Sequence, residues 1–125
     1  MVALLAGRSI RPMQPGHPVD MQPVTAAESY LGTLGARGIG YLFANGGTDF
    51  APIVEAYARG KALGWRLPEP VIVPHENMGV AMAHGYTMVT GRAQAMMVHV
   101  GMGTANSING LINAARGMSR NLLNG

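Results

Sequence analysis

The stretch VIVPHENMGVAMAHGYTMVTG, residues 71–91, decides how the rest of the chain is interpreted. It opens with the β-branched run VIV, which is typical of a buried strand. A proline breaks the run, and His75 and Glu76 follow where the strand would end. We predict a strand over residues 71–73 and a helix over residues 77–90. Because open α/β sheets bind ligands at the carboxyl ends of their strands, Glu76 is the leading candidate for a functional residue.

Strand and helix patterns alternate along the chain before and after this stretch. A helix is predicted from Thr25, where the sequence TAAE is a capping box that satisfies free backbone donors. The other predicted elements are a strand over 39–44, a helix near 50–63 capped by Thr48 or Asp49, a strand over 95–100 and a final helix capped by Thr104. A helix followed by three strand–helix units predicts an α/β fold, an open parallel sheet with helices on both faces.

The chain divides into an arm and one domain. Prolines recur through residues 1–23 without a hydrophobic period, so we predict an extended or disordered N-terminal arm. An arm that embraces a neighbouring subunit is the functional alternative. Residues 24–125 form the domain, and they suffice for a single core. The Leu122-Leu123 pair could begin a fourth strand that Gly125 leaves unfinished, so we expect the domain to be truncated at its C-terminus.

Composition and charge exclude several classes of function. Hydrophobic residues make up 48% and charged residues 12% of the chain, about half the usual charged share. So little charge favours a domain that is covered on more than one face by another domain or subunit. The net charge of +3 comes from scattered basic residues without aromatic neighbours, which argues against nucleic-acid binding.

The absence of cysteine and of long apolar runs limits the expected cellular location and the kinds of site in the chain. Without cysteine there is no disulfide framework, thiol nucleophile or cysteine metal site, in agreement with a cytoplasmic protein. No run approaches the roughly 18 apolar residues that a membrane span needs. His84 and His99 are isolated in the sequence, and neither has a metal-ligand spacing to another histidine. We therefore predict no metal site and no membrane partner.

Two interpretations of Glu76 follow from the residues alone. In the structural one, it is a surface residue at a helix N-terminus and interacts with the helix dipole, worth a few tenths of a kcal/mol. In the functional one, it lies in a desolvated cleft, where its pKa would rise and it could share a proton with a ligand nitrogen. His75 is more often a packed or hydrogen-bonded residue than a catalyst in such a position.

Two glycine turns are candidates for close backbone approach to a ligand. One contains Gly47, after the predicted strand 39–44. The other is Gly101-Met102-Gly103, which could cradle an anion on backbone N–H groups. It does not complete the dinucleotide fingerprint, because Asn106 occupies the position of the third glycine. Close packing of strand and helix is the alternative explanation for this second turn.

Taken together, three segments resemble the N-terminal, pyrimidine-binding domain of thiamine-diphosphate-dependent enzymes of the acetolactate synthase and 2-oxo acid decarboxylase group. They are TAAESYLGTLGARGIGYLFANGG, VIVPHENMGVAMAHGYTMVTGRA and GMGTANSINGLINAAR, and the resemblance covers roughly residues 24–118. The His-Glu pair followed by a small-residue helix is its most specific part. The resemblance implies the thiamine-diphosphate-binding fold of the pyrimidine-domain type.

The resemblance also implies roles for individual residues. The glutamate that matches Glu76 holds N1′ of the aminopyrimidine ring in this family, and its proton favours the imino tautomer that starts catalysis. Glu76 is accordingly the expected catalytic residue. The expected cofactor-binding residues are Gly47, His75, Glu76, Gly101, Gly103 and Asn106. The implied cofactor is thiamine diphosphate and the implied substrate a 2-oxo acid, in a lyase or transferase reaction.

The family also defines what this chain does not contain. Its diphosphate group and Mg²⁺ are held by a separate C-terminal domain with a GDG…N motif, which is absent here. We therefore expect half of an active site, inactive alone and completed in a homo-oligomer or by a partner chain. Proline is common in the family where Gly46 and Met102 stand, and glutamine where Asn77 stands, so the substrate stays open. Flavin binding, known in some relatives, stays open too.

Three hypotheses about the natural protein are compatible with its residues. The chain is part of a longer thiamine-diphosphate enzyme, or it is a freestanding subunit that pairs with a separate diphosphate-binding chain. The third hypothesis is a catalytically silent nucleotide-binding α/β module. Replacement of Glu76 separates the third from the other two, because only they need its carboxyl group.

Overall fold

The computed structural model of the protein describes the backbone of residues 22–123 and the side chains of residues 22–117. The predicted arm lies outside the described residues except for its last two positions. The helices are α1 Ala26–Ala36, α2 Ala51–Ala62, α3 Glu76–Thr90 and α4 Val100–Leu123. The strands are β1 Tyr41–Asn45, β2 Glu69–Ile72 and β3 Ala95–Val98, and a 3-10 turn, Thr48–Phe50, precedes α2.

The three strands form a parallel sheet in the order β2-β1-β3. On one face, Leu42 of β1 packs with Leu31 of α1 and Ala56 of α2 in the buried core. On the other face, Gly79 of α3 lies against Met96 of β3. The predicted α/β fold, with an open parallel sheet and helices on both faces, is thus confirmed. In the described part of the chain, no helix has the length and apolar character required to cross a membrane.

The capping box at the start of α1 is confirmed. Thr25 Oγ1 accepts the backbone N–H of Glu28 at 3.2 Å, and Glu28 Oε2 accepts the N–H of Thr25 at 3.3 Å and of Val24 at 2.6 Å. The other carboxylate oxygen of Glu28 binds Arg59 of α2 at 2.8 Å. Glu28 therefore joins α1 to α2 while it caps α1.

The predicted range of α2, near 50–63, agrees with Ala51–Ala62, but its predicted cap is wrong. Neither Thr48 nor Asp49 caps this helix: its N-cap is Phe50, which makes no side-chain capping bond. The 3-10 turn Thr48–Phe50 comes between β1 and α2 instead and leads directly into the helix. The carboxylate of Asp49 is engaged elsewhere, with His99 at the end of the neighbouring strand.

The predicted start of α4 is wrong as well. Gly101-Met102-Gly103 is not a turn before the helix, because α4 already begins at Val100. The backbone of Val100 has φ 32°, in the left-handed region, and this sharp bend turns the chain from strand to helix without a loop. Thr104 is consequently inside the helix, where its hydroxyl donates to the carbonyl of Val100 at 2.9 Å rather than capping.

The strand boundaries and the end of the chain also differ from prediction. β2 begins two residues earlier than the predicted strand 71–73, and β3 ends two residues before the predicted 100. Leu122-Leu123 belongs to α4 and does not begin a fourth strand. Residues 113–123 contain no proline and no β-branched residue, which permits the helix despite the unfavourable Gly117.

Helices α3 and α4 pack closely because of three glycines on α4 that are spaced seven residues apart. They are Gly103, Gly110 and Gly117, and they face Glu76, Val80 and His84 in turn. A Cβ at Gly110 would lie 2.9 Å from Val80 Cγ1, and one at Gly117 would lie 2.8 Å from the His84 ring. Such distances are shorter than carbon atoms tolerate, so α4 can follow α3 this closely only with glycine at these positions.

Candidate functional site

The candidate site lies at the carboxyl edge of the sheet. β1 ends at Asn45 and is followed by Gly47, while α3 begins with Glu76 a few residues after β2. His99 follows directly after β3 and precedes α4. Since the strands are parallel, all three connections emerge at the same edge, which is where open α/β sheets place ligands.

Glu76 is buried at this edge, with 7% of its surface exposed. Its Oε2 accepts a hydrogen bond from the Asn106 amide at 3.1 Å. Its Oε1 faces Gly103, where an added Cβ would lie 3.2 Å from that oxygen. The first turns of α3 and α4 therefore meet at this carboxylate, and they bring together three of the predicted site residues.

The pKa of Glu76 lies below its ordinary value of 4.5. The largest cause is a hydrogen bond from its own backbone N–H, one of the free donors at the start of α3. Burial acts in the opposite direction, while the Asn106 amide and the nearby His75 add to the lowering. The raised pKa that the functional interpretation called for is therefore not found in this chain, because donors at the helix start outweigh desolvation.

His75 forms the N-cap of α3. Its Nδ1 accepts the backbone N–H of Asn77 at 3.1 Å, and the same nitrogen lies 4.0 Å from Glu76 Oε2. Its ring is mostly exposed. His75 thus holds the first turn of α3 at the site edge through Nδ1.

Asn77 is a residue of the site region to which sequence reasoning assigned no role. Its Oδ1 accepts the backbone N–H of Gly110 in α4 at 3.1 Å. Together with the Asn106–Glu76 bond, it forms a second polar link between α3 and α4. Because the partner is a backbone amide 33 residues away, no local sequence pattern marks this role.

Gly101 and Gly103, which were predicted to form a turn, have different surroundings. Gly103 is buried against Glu76 and Val98, whereas a Cβ at Gly101 would meet no atom within 4 Å. The structure therefore brings Gly103 and Asn106 to Glu76 and leaves Gly101 at the surface of α4. An anion cradle on a separate GMG turn is not formed, since these residues belong to the helix.

Gly47 lies against the ring of His99, with no room for a side chain between them. The Nδ1 of His99 is 2.6 Å from Oδ1 of Asp49, which stands in the 3-10 turn after Gly47. The sequence predicted no partner for His99, which it placed inside the strand 95–100, and it assigned Asp49 to the cap of α2. Their neighbouring positions come from the pairing of β1 with β3.

Glu76 offers a carboxyl group with one oxygen already engaged by a side chain. One carboxylate oxygen accepts a hydrogen bond from the Asn106 amide, and the other faces Gly103. A carboxyl group in such a place can hold a ring nitrogen and share its proton. Within residues 22–117, no three His, Cys, Asp or Glu side chains are grouped to hold a metal ion.

Comparison with known proteins identifies the class. The family described as thiamine pyrophosphate enzyme, N-terminal TPP binding domain, matches residues 24–122, and the chain belongs to this family. It is 31% identical over 94 residues to the acetolactate synthase large subunit of Haemophilus influenzae. That match covers 75% of this chain and 16% of the relative, so the chain spans about one sixth of the relative's length. No solved structure matches the chain significantly.

Proposed function

We propose that this chain supplies the aminopyrimidine-binding half of a thiamine-diphosphate-dependent active site that acts on 2-oxo acids. The reaction class is carboligation or decarboxylation of the acetolactate synthase type. The observation that carries the proposal is the burial of Glu76 at the carboxyl edge, between the Asn106 amide and Gly103. Family membership supports the same cofactor.

When bound, thiamine diphosphate supplies a carbanion that adds to the 2-oxo group and an electron sink for decarboxylation. Glu76 would hold N1′ of the aminopyrimidine and share a proton with it. In this chain the carboxyl group favours the ionised form. A covering domain would remove more water from the cleft and raise its pKa toward the range in which a proton is shared.

The surrounding residues would orient and admit the ring. Asn106 holds Oε2 of Glu76 in place, while Oε1 faces Gly103. A side chain at position 103 would crowd Oε1 and Val98, because a Cβ there would lie 3.2 Å from the oxygen and 3.0 Å from Val98 Cβ. His75 fixes the start of α3, and Gly47 brings the β1 connection close to the same edge. Gly101 is the weakest member of the proposed cofactor-binding set, because it faces open space.

The site needs a second part, which we propose to be a diphosphate- and Mg²⁺-binding domain from the same protein, a second copy or a partner chain. Large apolar side chains at helical spacing support a covered surface on α3 and α4. Each is more than 40% exposed, and they are Met78, Met82, Ile108, Leu111 and Ile112. Exposed apolar surface of this kind marks interaction sites. The proposal includes a cytoplasmic setting, and the isolated chain would be inactive.

The test is Glu76→Gln in the complete native protein, with thiamine diphosphate and Mg²⁺ supplied. Glutamine can still bond a ring nitrogen but cannot share a proton in the same way, so we expect 2-oxo acid turnover to fall by about 10²–10⁴. Glu55→Gln, at an exposed carboxylate of α2, is the matched control and should keep full turnover. Equal turnover of Glu76→Gln and the native protein would refute the proposal and favour a silent module.

The intact mass of the native protein separates the two arrangements of the site. A mass several-fold above 13.1 kDa would show that the diphosphate domain follows in the same chain. A mass near 13.1 kDa, with activity restored only by a second purified chain, would identify a freestanding subunit.

A further inference from the structure

We propose that Asp49 and His99 form a second proton-transfer pair at the carboxyl edge, beside Glu76. In this pair His99 touches an oxygen of the substrate through Nε2, and Asp49 positions the ring. The inference rests on the proposed function, because the substrate is the 2-oxo acid bound at the same edge. It adds a catalytic residue, His99, and a positioning residue, Asp49.

The geometry of the pair is that of an oriented base. Asp49 Oδ1 and His99 Nδ1 are 2.6 Å apart, a short distance typical of a charge-assisted hydrogen bond. An ionised carboxylate can only accept, so Nδ1 carries the proton in this contact. The neutral ring then presents the lone pair of Nε2, which lies on the opposite side of the ring from Asp49.

The pair is also accessible to a ligand. The side chains of His99 and Asp49 are 40% and 45% exposed, respectively, so neither is sealed in the core. They stand after β3 and β1, which are paired neighbours in the sheet. This position is shared with Glu76, since the amide of Gly103 donates to the His99 carbonyl at 2.9 Å while Gly103 faces Glu76.

Two backbone features distinguish the pair from an ordinary surface ion pair. The His99 ring occupies the place where a side chain at position 47 would lie, so the connection after β1 passes close to that ring. Val100, the next residue after His99, has φ 32°, a conformation that β-branched residues rarely adopt. Strain of this kind is concentrated at functional sites, where the surrounding structure holds it in place. Both features act on the position of His99.

The proposed step is an exchange of one proton. The 2-oxo oxygen carries a proton only after its carbon has been attacked. When His99 then acts as a base, that O–H bond breaks, an N–H bond forms at Nε2, and the oxygen keeps the electron pair. In the reverse direction Nε2 returns that proton to the substrate oxygen. The Nδ1 proton stays on the ring throughout, held by Asp49, whose charge offsets that of the imidazolium. No other reactant is needed to balance the step.

The test uses His99→Gln and Asp49→Asn in the complete native protein with thiamine diphosphate and Mg²⁺. His99→Gln should lower kcat by about 10²–10⁴, the range of general acid–base catalysis, with KM and cofactor affinity within threefold of the native values. Asp49→Asn should also lower kcat, because asparagine can donate to Nδ1 and so hold the opposite tautomer. Glu55→Gln is the matched carboxylate control and should leave kcat unchanged.

A spectroscopic measurement on the full chain supplies a second readout that needs no cofactor. The ¹⁵N shifts of the His99 ring should show the Nδ1–H tautomer in the native chain and its loss in Asp49→Asn. An Nε2–H tautomer in the native chain would overturn the inference. So would a kcat for His99→Gln within threefold of the native value.

Comparison with Glu76→Gln separates this inference from the proposed function. Loss of turnover in Glu76→Gln together with native turnover in both pair variants would leave the proposed function standing and refute the pair. Native turnover in Glu76→Gln would refute both. Loss in all three variants, with native cofactor affinity and thermal unfolding for the pair variants, would support both.

Discussion

Glu28 and Glu76 are both buried glutamates in the first turn of a helix, 4% and 7% exposed, yet their surroundings differ. The carboxylate of Glu28 accepts bonds from two backbone amides and from Arg59. That of Glu76 has the Asn106 amide on one oxygen and a glycine beside the other. The first carboxylate is bound by two backbone amides and a guanidinium, whereas the second has one side-chain donor, Asn106, besides its own backbone N–H. The comparison contrasts a glutamate that joins two helices with the one proposed to hold a ligand.

The two glutamates also reach a lowered pKa by different causes. For Glu28 the main cause is the Val24 backbone N–H, with further lowering from Arg59 and Thr25 against the opposing effect of burial. For Glu76 it is the backbone N–H of the residue itself. A pKa direction alone therefore does not distinguish the two roles, and the partners have to be compared.

The largest expected effect is a contrast between two variants: Glu76→Gln should lose activity, and Glu28→Gln should lose stability. Glu76→Gln should lower turnover by about 10²–10⁴. It should lower the thermal midpoint less than Glu28→Gln does, because only the Glu28 carboxylate also faces the Arg59 guanidinium. Glu28→Gln should lower the thermal midpoint, because the charge that faces Arg59 is removed, while turnover per folded molecule is unchanged. Turnover assays and calorimetry on both variants check this, and equal effects on turnover would erase the distinction.

A second test moves the helix that holds Asn106 against Glu76. Gly110→Val would place side-chain atoms into Val80 and Asn77, and overpacking of this kind costs about 1–3 kcal/mol of unfolding free energy. Gly101→Ala is the control on the same helix, where a Cβ meets open space, and it should be neutral or slightly stabilising. Urea unfolding measures both. A native-like Gly110→Val would show that α3 and α4 need not approach so closely.

A third test weakens the capping of α1, to which Glu28 contributes, and leaves the surroundings of Glu76 unchanged. Thr25→Ala removes the hydroxyl that caps α1 and should cost about 1 kcal/mol. Thr33→Ala, at an exposed site within α1, should change the unfolding free energy by less than about 0.5 kcal/mol. Neither variant should alter turnover per folded molecule. A turnover defect in Thr25→Ala would connect the α1 cap to the distant site.

The smallest expected effect is on acid stability. Both glutamates have folded pKa values below the ordinary 4.5, so the unfolded chain binds protons first as the pH falls. Their stabilising contributions are complete well above pH 4.5 and are lost as the pH drops through the folded values. Glu28→Gln should therefore weaken the dependence of unfolding free energy on pH in this acid range. Urea titrations at a series of pH values test it, and an unchanged slope would contradict the assignment.

Much of the fold follows from local patterns. The VIV run, the TAAE capping box and the alternation of strand and helix predict the parallel sheet, because each pattern acts within a few residues. They also place Glu76 at the end of a strand, where the sheet topology makes a site. Membership of the thiamine-diphosphate family rests on the same segments.

Boundaries were predicted less well because they depend on contacts between elements. The GMG sequence is typical of a turn, yet the bend at Val100 moves it into α4. Asp49 is a good capping residue, but its carboxylate binds His99 instead of the start of α2. In each case a local preference was overridden by a partner on another element.

The sequence by itself determined the class of fold, the capping of α1 and the identity of Glu76 as the candidate catalytic residue. Only the tertiary structure decided what surrounds that residue. The Asn77–Gly110 and Asp49–His99 contacts join positions 33 and 50 residues apart, so neither leaves a periodic signal. The lowered pKa of Glu76 likewise depends on donors that are positioned by the start of α3 and by the packing of α4. Hydrogen bonds and electrostatic interactions act through space, so they are decided where the folded chain brings its elements together.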